Sequence, residues 1–215
     1  SARARVLAPP APTRGTLAPL EAPEPRVGTP LAADELDEVL TALRGDYEDG
    51  ELVLARALSR GRLPDLRVLP FAVDALRKTR IAPFVAHVLL PAYGPLAARR
   101  LRAGFDPQGR TSHAWRVAAA ARIAGPDADS MLREALAAGS RDVRLAALAD
   151  APRVPWQLVE PAALELAAQA RSESEVPWFF AGGGADPTRA PSLFTALARC
   201  PTDAALDALF AGLTR

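Results

Sequence analysis

Cysteine is nearly absent from this chain: Cys200 stands alone among 215 residues. A single thiol excludes an internal disulfide framework and a cysteine-ligated zinc site, and it fits a reducing cytoplasm. Histidine is almost as scarce. His87 and His113 are the only two, and neither falls in the His-x-x-x-His or Glu-x-x-His spacing that sets two metal ligands on one helical face. We therefore expect no metal and no cofactor. Aromatic residues make up only 6% of the chain, and the Val, Ile, Tyr and Thr enrichment of strands is missing, which points away from sheets. No run of eighteen apolar residues occurs, and the start lacks the apolar core of a secretory leader, so no membrane association is expected. Lysine is represented by Lys78 alone, an arginine bias that we read as the coding preference of a GC-rich bacterial genome.

What is plentiful is alanine, leucine and proline. Apolar residues reach 49% and the mean hydropathy is +0.03, ordinary values for a chain that buries a core. Residues 1–30 hold seven prolines, at 9, 10, 12, 19, 23, 25 and 30, without helical periodicity. They read as an extended arm or linker, with Val6, Leu7, Leu17 and Leu20 as anchors should it lie along the rest of the protein. Residues 31–215 read as a helical domain. The spacing of apolar residues predicts helices over about 32–44, 50–60, 64–79, 82–90, 94–103, 111–124, 127–138, 140–150, 155–170, 175–181, 188–199 and 202–213. Gly45, Gly61, Gly104, Gly125 and Gly139 mark helix ends, and Pro64, Pro83, Pro155 and Pro187 mark starts. Pro70, Pro91 and Pro161 fall in or beside helical patterns and are expected to kink or divide them.

The stretch from Asp127 to Ala151 carries the most information. Met131, Leu132, Ala135 and Leu136 recur at one-turn spacing, and a Gly-Ser step separates them from Val143, Ala146, Ala147 and Leu148. Gly139 is expected in the left-handed conformation that ends a helix, with Ser140 capping the next. A hairpin so small and so rich in alanine needs similar neighbours to bury its apolar faces. Trp115-Arg116-Val117-Ala118-Ala119-Ala120 also matches Val143-Arg144-Leu145-Ala146-Ala147-Leu148 in character, twenty-eight residues on. Small alanines let paired helices approach closely, and each arginine can bridge to an acidic residue or carbonyls of the adjacent unit.

Over about 111–151 the sequence resembles HEAT repeats, whose second helix typically opens on an Asp-x-Val-Arg-like step followed by small residues; here Asp142 directly precedes Val143. The resemblance implies an all-α, right-handed α-solenoid of stacked hairpins of HEAT-like or armadillo-like type.

Catalytic candidates are few. His87, within Phe84-Val85-Ala86-His87-Val88-Leu89-Leu90, reads as a core or groove histidine, and His113, after Thr111 and Ser112, as part of a helix start. Cys200, before Pro201, reads as a small buried hydrophobe. Gly182-Gly183-Gly184 lacks the Gly-Lys-Ser/Thr ending and the preceding strand of a phosphate loop, so it reads as an inter-repeat loop. Trp178, Phe179 and Phe180 read as a cluster packed in a helix interface. We expect no enzyme and no small-molecule substrate.

Charge is strongly segregated. Residues 52–123 carry thirteen basic side chains against three acidic ones, whereas eight acids lie between Asp34 and Glu51. Those acids could neutralise the basic helices across helix interfaces, each exposed pair contributing about 0–1 kcal/mol. Otherwise Arg77, Lys78, Arg80, Arg99, Arg100 and Arg102 would project from one face toward phosphates or an acidic protein surface. Only Tyr93 and Phe105 are near enough in sequence to stack on bases. The function expected is therefore a cytoplasmic, non-catalytic scaffold that binds a protein partner, as a segment of a larger bacterial protein. The alternative is a DNA-binding helical repeat that uses residues 52–123.

Overall fold

A computed structural model describes residues 30–45, 48–149, 154–172 and 191–213, and all regular structure among them is helical. The expected arm over 1–29, the helix over 175–181, the triple glycine at 182–184 and the aromatic cluster at 178–180 lie outside the described residues.

The chain begins with α1 (Ala33–Arg44) and α2 (Gly50–Ser59), packed on each other. Gly45, at φ 80°, closes α1 in the left-handed conformation that a side chain would strain, and its N–H donates to the Ala42 carbonyl. Next comes α3 (Leu69–Ala75), shorter than the 64–79 expected. Its late start has a tertiary cause. The buried Asp65 carboxylate accepts the main-chain N–H groups of Leu31, at 3.2 Å, and Arg67, at 2.9 Å, which holds 63–67 out of helical geometry. Pro70 falls in the first turn of α3, where its missing N–H leaves no intrahelical bond unmade, so it opens the helix instead of kinking it.

Residues 82–92 run on as α4 (Ala82–Phe84), a π turn (Val85–Leu89) and α5 (Leu90–Ala92). Pro91 explains the π turn. Its ring would collide with the carbonyl four residues back in a regular helix, and the wider turn, in which the Leu90 N–H reaches the Val85 carbonyl, relieves the crowding. The helix widens where the sequence suggests a break. Pro161 likewise sits inside one helix, α10.

The remaining elements are α6 (Pro95–Ala103), α7 (Thr111–Ala121), α8 (Pro126–Ala138), α9 (Arg141–Ala149), α10 (Trp156–Ser172), α11 (Pro191–Leu197) and α12 (Asp203–Leu213). Pro95, Pro126 and Pro191 each occupy a first helical position. Gly139 is not left-handed: at φ −73° and ψ 151° it is extended. Its value lies in close approach, since an added Cβ would come 2.2 Å from the Ala135 carbonyl oxygen and 2.9 Å from Val143 Cγ1. The Ser140 hydroxyl donates to the Gly109 carbonyl, at 2.7 Å, and so ties the α8–α9 turn to the loop before α7.

Two apolar clusters fill the interior. One gathers side chains from α1 to α8, among them Leu54, Leu76, Leu90 and Leu101; the other runs from α7 to α12, with Leu132, Leu148, Leu166 and Leu193. Helix α8 serves both, giving Ala128 and Met131 to the first and Leu132, Ala135 and Leu136 to the second, and so does α7. Its Trp115, Ala118, Ala119 and Ala120 belong to the first cluster and its Ala114, Val117 and Ala121 to the second. Residues 114–121 are therefore buried all round, which methyl-sized side chains permit. Helix α7 packs most extensively on α9, which packs on α11, while α6 meets α8, α8 meets α10 and α10 meets α12. Helices adjoining in sequence also touch from α6 through α12.

Candidate functional site

The basic residues are distributed by the geometry of α6. Ala97, Ala98 and Leu101 face inward, leaving Arg99 and Arg100 exposed and Arg102 half-buried. At about 100° per residue, Arg100 and Arg102 leave the helix on opposite flanks, roughly 160° apart. Arg102 turns toward α8, where its Nη1 lies 3.5 Å from Glu134 Oε2. Arg100 leaves the other flank, where its charge bears on Arg116 of α7, as does that of Arg77 just beyond α3.

Arg116 is almost fully buried, at 8% exposure. Its Nη1 donates to the Leu101 carbonyl, at 3.0 Å, in the last turn of α6, so the guanidinium meets the negative end of that helix. The absent side chain of Gly104 leaves room for it, because a Cβ there would come 3.0 Å from Nη1. Burial, then the positive charges of Arg77 and Arg100, hold its pKa below the ordinary arginine value, with Asp74 acting in the opposite sense. The charges of Arg77 and Arg100 thus both bear on the buried Arg116. Arg77 and Lys78 are exposed. Arg80 is turned away: its Nη2 donates to the Glu48 carbonyl, at 2.7 Å.

Of the six candidates, Arg77 and Arg100 both act electrostatically on Arg116, while Arg80 is engaged by the Glu48 carbonyl and Arg102 by Glu134. Arg116 is not among the six candidates, because the groups that act on it come from distant stretches of the chain. Pairing with the acidic 34–51 stretch is sparse in the contacts observed. Arg62 Nε lies 3.9 Å from Glu35, and Arg80 meets a main-chain carbonyl of that stretch.

The aromatic candidates for stacking are engaged elsewhere. Tyr93 is buried, and its hydroxyl donates to the Asp65 carbonyl, at 2.9 Å; burial pushes its pKa up. Phe105 is half-buried against both apolar clusters. His87 is half-buried and sits edge-on to Trp115, with ring centres 5.7 Å apart, and its Nδ1 accepts from Arg122 Nε at 2.7 Å. Cys200 is buried, with its thiol turned to the Ala196 carbonyl at 3.3 Å. Burial and the Glu160 carboxylate push its pKa up, the opposite of what a thiolate nucleophile needs.

Among the described residues, no group of three or more His, Cys, Asp or Glu side chains could hold a metal ion. A shallow hollow of about 280 Å³ beside the start of α2 is lined by Glu48, Asp49, Glu51 and Arg80, without a nucleophile and base in partnership. No described helix is long and apolar enough to cross a membrane. No protein-family model matches the chain, and neither a curated protein nor a solved structure does.

Proposed function

We propose that this chain is a non-catalytic, HEAT-like helical-repeat scaffold, a right-handed solenoid that binds a protein partner through an acidic surface of that partner. The order of helix contacts carries the reading. From α6 onward each helix meets both its successor and the helix after that, the neighbour relation that stacked hairpins produce. Support comes also from Arg116 and Arg144, which sit at matching positions of α7 and α9 and each bridge to another helix. On this reading residues 1–30 are an arm ahead of the repeats, the location is the cytoplasm of a bacterium, and the chain is one segment of a larger protein. Arg77 and Arg100, exposed and converging in their effect on Arg116, are the contact point for the partner's carboxylates.

The same convergence favours DNA as a second reading, because phosphates would neutralise the group equally well. The test installs a photo-crosslinking side chain at Arg99, exposed on α6. The scaffold reading expects adducts that protease removes and nuclease leaves intact. Titration with duplex DNA separates the readings further. Binding that weakens linearly in log-log terms with salt, and is lost in Arg77→Glu/Arg100→Glu, would replace the protein partner with nucleic acid.

A further inference from the structure

The segment between α6 and α7, residues 104–110, joins the two apolar halves of the protein. Phe105 packs against both clusters. The Pro107 carbonyl accepts the Ser140 N–H at 2.8 Å, the Gly109 carbonyl accepts the Ser140 hydroxyl at 2.7 Å, and the Gln108 side-chain amide donates to the Ala138 carbonyl. One short loop therefore clasps the turn between α8 and α9. The loop is itself held at one point by an imidazole: the Asp106 N–H donates to His113 Nδ1, at 3.1 Å.

A main-chain N–H can only donate, so His113 must present a bare nitrogen and carry its proton on Nε2. An imidazolium bears hydrogen on both nitrogens and would turn this bond into a clash of two donors. The ring has little room to turn away. A Cβ at Gly109 would lie 2.2 Å from His113 Cδ2, and the Phe105 ring stands 6.4 Å from the imidazole. We propose that residues 104–110 form an acid-released strap, in which protonation of His113 expels the Asp106 amide and frees the loop from Ser140.

The charges facing His113 come from three places. Arg116 on its own helix and Arg77 beyond α3 oppose protonation, and the Asp106 carboxylate of the loop favours it. Burial opposes it most strongly, and the balance leaves the folded pKa below the ordinary 6.5. With the folded value depressed, the neutral clasp is fully present above 6.5 and is drained as pH falls through that value toward the lower one. His87 also accepts through Nδ1, at the other end of α7, so a global acid transition would report both imidazoles. The Ser140 amide reports the strap alone.

The experiment is hydrogen exchange at single-amide resolution on the whole chain, at about pH 7.5 and about pH 5, corrected for intrinsic rates. Ser140 and Asp106 amides should lose about tenfold or more of their protection at the lower pH, while Leu132 in α8 keeps its own. His113→Asn, whose side-chain oxygen can accept the same N–H without titrating, should hold Ser140 protection constant across that range. Unchanged Ser140 protection in the wild type, or an equal loss in His113→Asn, would overturn the proposal. So would a folded His113 pKa at or above 6.5 by imidazole NMR of the wild-type protein, a measurement that stands even if the variant fails to fold.

Discussion

Arg116 and Arg144 occupy matching positions in α7 and α9, twenty-eight residues apart, yet they bridge to different chemistry. Arg116 Nη1 donates to the Leu101 carbonyl at 3.0 Å, and Arg144 Nη1 meets Glu165 Oε2 on α10 at 2.7 Å. The repeated arginine is a fixed reach from a buried helix, and the neighbouring unit supplies whatever acceptor lies there. The two sites differ in solvent: Arg116 is buried with its acceptor, whereas the Glu165 side chain is 54% exposed.

Their energetic weights should differ accordingly. Arg116→Met should cost about 1–3 kcal/mol, because it strands the Leu101 carbonyl. Arg144 and Glu165 should couple by less than about 1 kcal/mol, since water screens the carboxylate. Urea unfolding of Arg116→Met, and a double-mutant cycle on the second pair, measure both.

Asp65 ties two parts of the first half together. Its carboxylate accepts Leu31 N–H, Arg67 N–H and the Arg67 guanidinium, whose Nη2 lies 2.7 Å from Oδ2 and the same distance from the Leu31 carbonyl. Arg67's hydrogen bonds hold the Asp65 pKa at about 2, below the ordinary 3.8. A depressed carboxylate stabilises the fold above the unfolded value and loses that contribution as pH falls from about 4 to about 2, here about 2 kcal/mol. Asp65→Asn should lower stability by about 2–3 kcal/mol near neutrality and remove this step from the acid profile. Calorimetry or chemical denaturation across that range checks it.

The helices were legible in the sequence because their boundaries are local chemistry. Gly45 closes α1, while Pro95 and Pro126 open α6 and α8, each through its own backbone restrictions. What escaped was tertiary. Asp65 shortens α3 through a contact with Leu31, and the charges of Arg77 and Arg100 bear on Arg116 only after the helices assemble. The separation of Arg100 from Arg102 was within reach, since the angle between them follows from helical pitch once Ala97, Ala98 and Leu101 are taken as the inner face.

Gly139 gives a sharp test of close packing. Its dihedrals suit any residue, so the cost of Gly139→Ala comes from the Ala135 carbonyl and Val143, which must shift to admit a methyl group. We expect about 1–3 kcal/mol of destabilisation. Gly45→Ala, with nothing within 4 Å of the added Cβ but φ at 80°, should lose about 1 kcal/mol through backbone strain alone. Thermal melts of the two variants separate packing from conformation. A smaller loss at Gly139 than at Gly45 would show that the α8–α9 turn has slack.

Two apolar clusters that meet at α7 and α8 should yield in different places. Leu54 is fully buried in the first and Leu193 in the second, so each truncation to Ala should cost about 2–5 kcal/mol. If the chain is the repeat array proposed above, the loss spreads from the damaged unit to its neighbours. Leu193→Ala should therefore strip amide protection from α10 to α12 before α2 is touched, and Leu54→Ala should do the reverse. Val117→Ala cuts into α7, one of the two helices that serve both clusters, and should loosen α9 while Trp115, Ala118 and Ala119 keep the other face of α7 packed on the first cluster. Site-resolved hydrogen exchange reads all three. Uniform loss from every variant would mean that the clusters behave as a single cooperative core, and the serial reading would fall with it.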